Sequence, residues 1–435
     1  MIKANIERYV SYKESDIEWV EKLPSDWGVK RLKEILCEVV YGTSEKTKEI
    51  GKYEVLGMGD IDEGKVSFPK KRFIDGVPKE LLLKLGDLLF NRTNSLALVG
   101  KVGLIEEHLE DITFASYLIR LRVKNNQVSR YFWYFLNSEY FIAYSRSNAI
   151  QTANQANLSS SKLRQFKIIH IPLRLQESIA HYLDTKTAQI DRKIDLLTQK
   201  ATLYSNLKQS LINETVTRGL DKTVPMKDSG IDTIGEVPSH WEVKRVKDIF
   251  IESKNKVGSE SPSYKVLSLT MKGVIVRDLE SNKGKIPASF DGYQIVQRNN
   301  IVLCLFDMDV TPRIVGYVEQ EGIITSAYTI IKNKILTNMK YFYYYFLEQN
   351  RNKSLLSVSK TLRSTLNFDT FSSIELPLPP FSEQKTIADY LDTKTAQIDQ
   401  IIQTINTQIE KLKELRKTLI NDVVTGKIKV VEHGY

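Results

Sequence analysis

Cysteine is scarce: Cys37 and Cys304 are the only two in 435 residues. One sits on an expected helix and the other inside the apolar run IVLCLF, so a disulfide is not expected and a reducing cytoplasm fits. Long apolar runs are missing too. No stretch reaches the ~18 residues that a membrane span needs, and the opening MIKANIERYV lacks the apolar centre of a signal peptide. The five histidines are scattered, with no HExxH and no CxxC, which argues against zinc. VGKVGL (Val99–Leu104) lacks the leading glycine and the hydroxyl of a phosphate loop, and GMGD (Gly57–Asp60) stops after two glycines, as a turn does. Glu63-x-Lys65 has no second acidic element to complete a carboxylate–lysine nuclease cluster and reads as a solvated turn after Asp60 and Asp62. No glycine-rich loop for a methyl donor is found. The chain reads as a binder without catalytic machinery, cofactor or metal of its own.

What is present is positive charge and repetition. Lys and Arg total 62 against 53 Asp and Glu, a formal charge of +9 and a pI near 9.1. That balance favours a polyanionic partner, chiefly nucleic acid. Hydrophobic residues make up 42%, enough for a core, and the length suggests two or more domains. The decapeptide YLDTKTAQID occurs at Tyr182–Asp191 and again at Tyr390–Asp399, 208 positions later. The match extends back to Gln176 and Gln384 and forward to LINETVTRG (Leu211–Gly219) against LINDVVTGK (Leu419–Lys427). Ahead of each copy, LPSDWGVKRLKEIL (Leu23–Leu36) matches VPSHWEVKRVKDIF (Val237–Phe250) at a spacing of 214. Between these anchors the halves agree only in outline: YFWYFLNS with YFYYYFLEQ, ASYLIRLR with SAYTIIK, and GDLLFNRTNS loosely with NNIVLCLFDMD. A period of about 210 residues is a duplicated domain, not a solenoid.

After the decapeptide the apolar positions step by four and three. They are Ile190, Ile194, Leu197, Ala201, Tyr204 and Leu211 in the first copy, and Ile398, Ile402, Ile405, Ile409, Leu412 and Leu419 in the second. Lys208 and Arg416 occupy the same place in the two seams. A 3.5-residue period over ~40 residues predicts a helix of ~60 Å in each half. Pro379–Pro380 blocks helix before Ser382, and Gly219 and Gly426 close the ends. One seam on a lone helix must be covered, either by its own globular neighbour or by the other helix. Equal length and phase favour mutual, antiparallel packing.

The segments between are short β-rich runs punctuated by Gly, Asn and Asp, followed by an aromatic-rich helix (Arg130–Ser138; Lys340–Glu348). The class is α+β: two similar globular units joined by two long helices related by a pseudo-two-fold axis. Tyr131, Phe132, Phe135, Tyr341, Tyr345 and Phe346 are spaced as helix core, not as a base-stacking platform. The expected order is a globular unit over 1–175, a long helix over 176–219, a second globular unit over 220–382, a second long helix over 383–426 and a tail over 427–435.

This alternation of variable units and near-identical long helices resembles the specificity subunit of type I restriction–modification systems. The opening segments around Trp27 and Trp241, the strand-loop GDLLFNRTNS and the junction LPLPPFSEQKTIADYLD (Leu376–Asp392) carry the resemblance, which covers nearly the whole chain. The first junction, IPLRLQESIAHYLD, departs from it: Arg174–Leu175 stands for the Pro-Pro-Phe run and one position is lost. The resemblance implies a subunit that is not itself an enzyme. Each unit would read one half of a split double-stranded DNA sequence, and the helices would set the gap. Two methylation subunits and the restriction subunits would dock on the assembly, and those partners would use S-adenosylmethionine, ATP and Mg. Independently, patches on one face of DNA recur about every 34 Å, so two reading sites on long helices leave an unread gap. Unlike loops in the two units predict an asymmetric target. The rival readings are a helical scaffold for proteins without sequence-specific DNA binding, and a degenerate methyltransferase or nuclease.

Base reading needs Arg, Lys, Asn or Gln on loops, and phosphate binding needs Lys or Arg. In the first unit the candidates are Lys70, Lys71, Arg72, Arg92, Asn94 and Ser95, with Arg146, Asn148, Gln151, Asn154 and Gln155 in the polar stretch YSRSNAIQTANQANLSSS. In the second they are Lys272, Arg277, Arg313, Lys360 and Arg363.

Overall fold

The computed structural model describes residues 7–430 except 63, 69–70, 153–154, 281–286, 312 and 360–363. The chain divides into two compact units, residues 1–197 with 407–435, and 198–406. Among the described residues no helix is long and apolar enough to cross a membrane.

In unit 1 the strands are β1 (Gly28–Arg31), β2 (Leu36–Tyr41), β3 (Leu88–Asn91), β4 (Val102–Leu104) and β5 (Leu118–Val123). The aromatic helix α1 (Ser129–Leu136), strand β6 (Lys167–His170) and the long helix α2 (Leu173–Arg218) follow. The central sheet is antiparallel in the order β4-β3-β5-β2, and β6 pairs separately with β1. In unit 2 the strands are β7 (Glu242–Arg245), β8 (Phe250–Ser253), β9 (Ile301–Leu303), β10 (Val315–Tyr317) and β11 (Thr329–Asn333). Helix α3 (Met339–Arg351), strand β12 (Glu375–Leu378) and the long helix α4 (Phe381–Val424) complete the series. The central sheet again runs β10-β9-β11-β8, and β12 pairs with β7.

The weakly matching segments therefore take the same places. Leu88 lies opposite Leu121 in one sheet, and Ile301 opposite Ile331 in the other. Gly103 and Gly316 hold equivalent positions in β4 and β10. A Cβ on Gly103 would lie 2.6 Å from Val66, and one on Gly316 2.6 Å from both Leu269 and Val274. In each unit a small β-hairpin closes over the sheet at that glycine (Ile61–Asp62 with Lys65–Val66; Leu267–Thr270 with Gly273–Val276).

The aromatic helices are core. Tyr131, Phe132 and Phe135 are fully buried in unit 1, and Tyr341, Tyr345 and Phe346 are at most 3% exposed in unit 2. Their burial explains much of the repeated sequence. Tyr134 donates its hydroxyl to Asp184 Oδ1 (2.7 Å) beside Thr187, and Tyr344 donates to Asp392 Oδ1 (2.8 Å) beside Thr395. Arg130 and Lys340 pair with the same two aspartates. Gln176 Oε1 accepts from the Val128 N–H (3.0 Å) while its Nε2 donates to the Ile171 carbonyl (2.9 Å). Gln384 repeats this with the Asn338 N–H (2.8 Å) and the Pro379 carbonyl (2.8 Å). These buried amides satisfy backbone groups at the start of the aromatic helix and at the turn into the long helix.

Each unit contains one segment of α2 and one of α4, running antiparallel. In unit 1, Leu175, Ile179 and Leu183 share a core with Ile420, Val423 and Val424, and farther along Arg416 pairs with Asp191 (3.1 Å). In unit 2, Ile387 and Leu391 share a core with Ile212 and Val216, and Lys208 pairs with Asp399 (2.6 Å). The 208-residue shift carries Asp191 onto Asp399 and Lys208 onto Arg416, so the two bridges are one contact with the helices exchanged. Ile398, Ile405 and Ile409 are buried; Ile190, Ile194, Leu197, Ala201, Tyr204, Leu211, Ile402, Leu412 and Leu419 are half-buried. Gly219 (φ +72°) ends α2 against Trp241 of unit 2, and Gly426 (φ +76°) follows α4 against Trp27 of unit 1.

The junctions differ from expectation. The helices begin at Leu173 and Phe381, directly after Pro172 and Pro380, three residues ahead of Gln176 and Gln384. No position is lost at the first junction. Pro172 and Leu173 stand 208 residues before Pro380 and Phe381, and Gln176 and Gln384 each donate their N–H to that proline's carbonyl. The proline sets the start because it occupies the position before the first helical residue, where its missing N–H costs little.

Candidate nucleic-acid interface

In unit 1 the polar segments singled out in the sequence converge. Strand β3 leads through Arg92 into Thr93–Asn94, which pairs with Ala156–Asn157, and that strand pairs with Ile150–Gln151. Asn94 and Gln151 thus belong to one three-stranded ribbon built from segments sixty residues apart, and Arg92 and Gln155 directly precede two of its strands. Gln151 and Gln155 are exposed, and Asn94 Oδ1 accepts from the Ser95 N–H (2.8 Å). Arg146 donates to the Ala97 carbonyl (2.8 Å), tying the preceding helix to the same loop, and Lys162 reaches the Asn148 carbonyl (3.0 Å). Lys71 is exposed. Arg72 is engaged elsewhere: it pairs with the buried Asp60, whose Oδ2 also accepts from the Gly57 N–H. Lys70 and Asn154 lie outside the described residues, as does Glu63.

Arg92 itself is held by uncharged groups. Its guanidinium lies 4.8 Å over the Tyr41 ring and Nη2 donates to Asn157 Oδ1 (2.9 Å). Asn157 is in turn oriented by donating Nδ2 to Thr93 Oγ1 (2.9 Å), and Tyr41 OH accepts from the Ser160 N–H (3.1 Å). Tyr41 and Asn157 carry no signal as site residues in the sequence; only the end of the polar stretch at Asn157 hinted at it.

Unit 2 presents different chemistry on the same frame. The loop from Cys304 to Ile314 has the length of that from Asn91 to Lys101, yet Leu305 stands where Arg92 does and is 3% exposed. Phe306 stacks on Tyr328 (6.0 Å, 11°). Lys272 occupies the exposed turn of the hairpin, and Arg277 follows it, its N–H bonded to the Val266 carbonyl. Arg313 stitches the hairpin to the core, donating to the Met271 carbonyl, to Tyr343 OH (2.9 Å) and to the Val315 carbonyl (3.2 Å). Lys360 and Arg363 lie outside the described residues.

Beneath the unit 1 sheet, Arg120 (fully buried) and Arg122 are bound by Glu38 and Asp87. Burial would raise the Glu38 carboxyl, but hydrogen bonds and charge from Arg122 and Arg120 outweigh it and hold the group below the usual range. This network braces the sheet and is not repeated at the equivalent positions of unit 2, where Asn300, Ile330 and Lys332 fill the places of Asp87, Arg120 and Arg122. Among the described residues no group of three or more His, Cys, Asp or Glu could hold a metal.

The profile of the family described as "Type I restriction modification DNA specificity domain" matches residues 24–201 and 238–411, the two halves of the duplication. A putative type I restriction enzyme MjaX specificity subunit of Methanocaldococcus jannaschii is 25% identical over 437 residues, covering 96% of this chain and 98% of that protein. The type I restriction enzyme MjaVIII specificity subunit of the same organism is 22% identical over 452 residues, 96% of this chain and 97% of that one. Among solved structures, a chain from work on "complex assembly and conformational transition of the type I R-M system" superposes with a TM-score of 0.68 at 13% identity, covering 93% of this chain and 99% of that one. The HsdS subunit from Thermoanaerobacter tengcongensis superposes with a TM-score of 0.51 at 13% identity, covering 93% and 98%. The family model covers both halves of the duplication, and the chain belongs to the type I restriction–modification DNA specificity family as a specificity subunit, a DNA-binding component that is not itself an enzyme.

Proposed function

We propose that unit 1 and unit 2 each read one half of a split, asymmetric double-stranded DNA target, with α2 and α4 setting the unread gap between the halves. Two methylation subunits and the restriction subunits join the chain on DNA. Those partners supply the chemistry with S-adenosylmethionine, ATP and Mg, while this chain holds no cofactor. The observation that carries the reading is the combination of one frame with two faces. The sheet order, the aromatic helix and the exchanged bridges Arg416–Asp191 and Lys208–Asp399 repeat, while the loops after β3 and β9 do not. A repeated frame supports a common docking task, and unlike loops support unlike base sequences.

The experiment is a matched deletion. Removing one heptad from α2 and the equivalent heptad from α4 keeps the seam in phase and shortens each helix by ~10 Å, about three base pairs at 3.4 Å each. Methylation by the full assembly on targets of graded spacing then selects a gap shorter by about three base pairs, with both half-sequences unchanged. An unaltered preferred gap defeats the spacer role.

A further inference from the structure

Five arginines of unit 1 are neutralised by carboxylates. Arg72 pairs with Asp60, Arg120 and Arg122 with Glu38, Arg130 with Asp184, and Arg416 with Asp191. Arg92 differs. Among the described residues it meets no carboxylate, yet it is not loose. The Tyr41 face and Asn157 Oδ1 fix the plane of the guanidinium, and its own N–H and carbonyl are bonded to the Tyr117 carbonyl (3.1 Å) and the Leu158 N–H (2.9 Å). Among the described residues Nε is buried without a hydrogen-bond partner and Nη1 makes no hydrogen bond, while the residue as a whole is half-buried. A full positive charge, oriented in advance by neutral groups, keeps Nη1 and the second hydrogen of Nη2 as a fork for a ligand and has already lost the rotamer freedom that binding would otherwise remove.

We propose that Arg92 reads a guanine through its O6 and N7 acceptors in the half-target of unit 1, and that Tyr41 and Asn157 are the residues that position it. The assignment rests on the DNA-reading role of unit 1 and specifies its chemistry. A planar fork matches the paired acceptors on the major-groove edge of guanine, and no other base offers two acceptors there. A phosphate contact, by contrast, needs only charge, and a mobile lysine meets that need. The neighbouring Asn94, Gln151 and Gln155 supply amides for flanking bases. Unit 2, with the buried Leu305 at the equivalent place, has no such reader there.

The test uses the full chain assembled with its methylation subunits. Methylation mapping of a host genome first gives the target. Duplexes carrying 7-deazaguanine at each guanine in turn, which removes N7 alone, are then compared for binding. The wild type loses about 10- to 100-fold at one guanine of one half. Arg92→Ala and Arg92→Lys bind the unmodified target weakly and no longer respond to the substitution at that guanine. Asn157→Asp draws the guanidinium into an ion pair and loses about tenfold in discrimination there, with the other half read as before. Tyr41→Phe keeps the ring and stays within about twofold, while Tyr41→Leu behaves like Asn157→Asp. Purely structural roles for Tyr41 and Asn157 would weaken all sequences alike and leave base preference untouched.

Several results overturn the assignment alone: a specific wild type whose Arg92→Lys variant discriminates as well as before, a uniform loss in Arg92→Ala with the salt slope reduced by about one (the mark of a phosphate contact), or a target with no guanine in either half. A wild-type assembly with no sequence preference at all overturns the DNA-reading role and this assignment with it.

Discussion

Truncating Gln384 to alanine tests the physical basis of the repeated junction. Its side chain is 1% exposed, and its amide answers two backbone groups: the Asn338 N–H at 2.8 Å and the Pro379 carbonyl at 2.8 Å. Asn338 is the cap of α3, where its own side chain accepts from the Lys340 and Tyr341 N–H groups. Alanine leaves one donor and one acceptor without partners, at about 1–3 kcal/mol each, so unit 2 should lose roughly 2–5 kcal/mol. Because a two-unit chain need not unfold in one step, the measurement is amide hydrogen exchange over α3 in the full chain, alongside denaturant unfolding. Protection across Met339–Arg351 should fall while α1 in unit 1 keeps its own. Gln384→Glu sharpens the test. It retains the acceptor for Asn338 but sets a carboxylate against the Pro379 carbonyl, so the folded-state pKa of the new group rises. Such a group destabilises once ionised, and the variant should recover as pH falls through the raised folded value towards the ordinary glutamate range. A loss under about 0.5 kcal/mol with unchanged exchange in α3 would refute the reasoning. Gln176→Ala should do the same to unit 1, where Val128, Ile171 and Gln127 lose their partner.

Other expectations follow from the same contacts. Gly316→Ala places a methyl 2.6 Å from Leu269 and Val274 and should cost about 1–3 kcal/mol by denaturant unfolding, with part of the loss recovered by adding Val274→Ala. Glu38 is held below the ordinary glutamate range by Arg122 and Arg120, so its contribution is fully present above that range and is lost as pH falls through the lower folded value. Glu38→Gln should therefore flatten the acid limb of the unit 1 unfolding curve, and an unchanged limb counts against the network. Asp399→Lys sets like charges against Lys208, and adding Lys208→Asp should restore the pair. At this exposed site the coupling should be ~0.2–1 kcal/mol in a double-mutant cycle and should shrink with salt.

Much of this protein is written in local pattern. The duplication, the 3.5-residue seam from Ile190 to Leu211 and from Ile398 to Leu419, and the closing glycines all follow from residue spacing, because a helix repeats its environment every few residues. The aromatic core of α1 and α3 was legible for the same reason. Spacing along the chain carries no record of which distant segments pair, and there the tertiary structure decided. It alone shows that Asp184 and Asp392 recur because each holds a tyrosine of the aromatic helix, and that β3 and β9 take one position in two sheets despite little shared sequence. It also separates arginines that look alike in the sequence. Arg72 and Arg313 bond within their own units, whereas Arg92 is poised over Tyr41 by Asn157, sixty-five positions away. A side chain's charge is a property of the sequence, but whether that charge is already answered depends on what folding brings within hydrogen-bond reach.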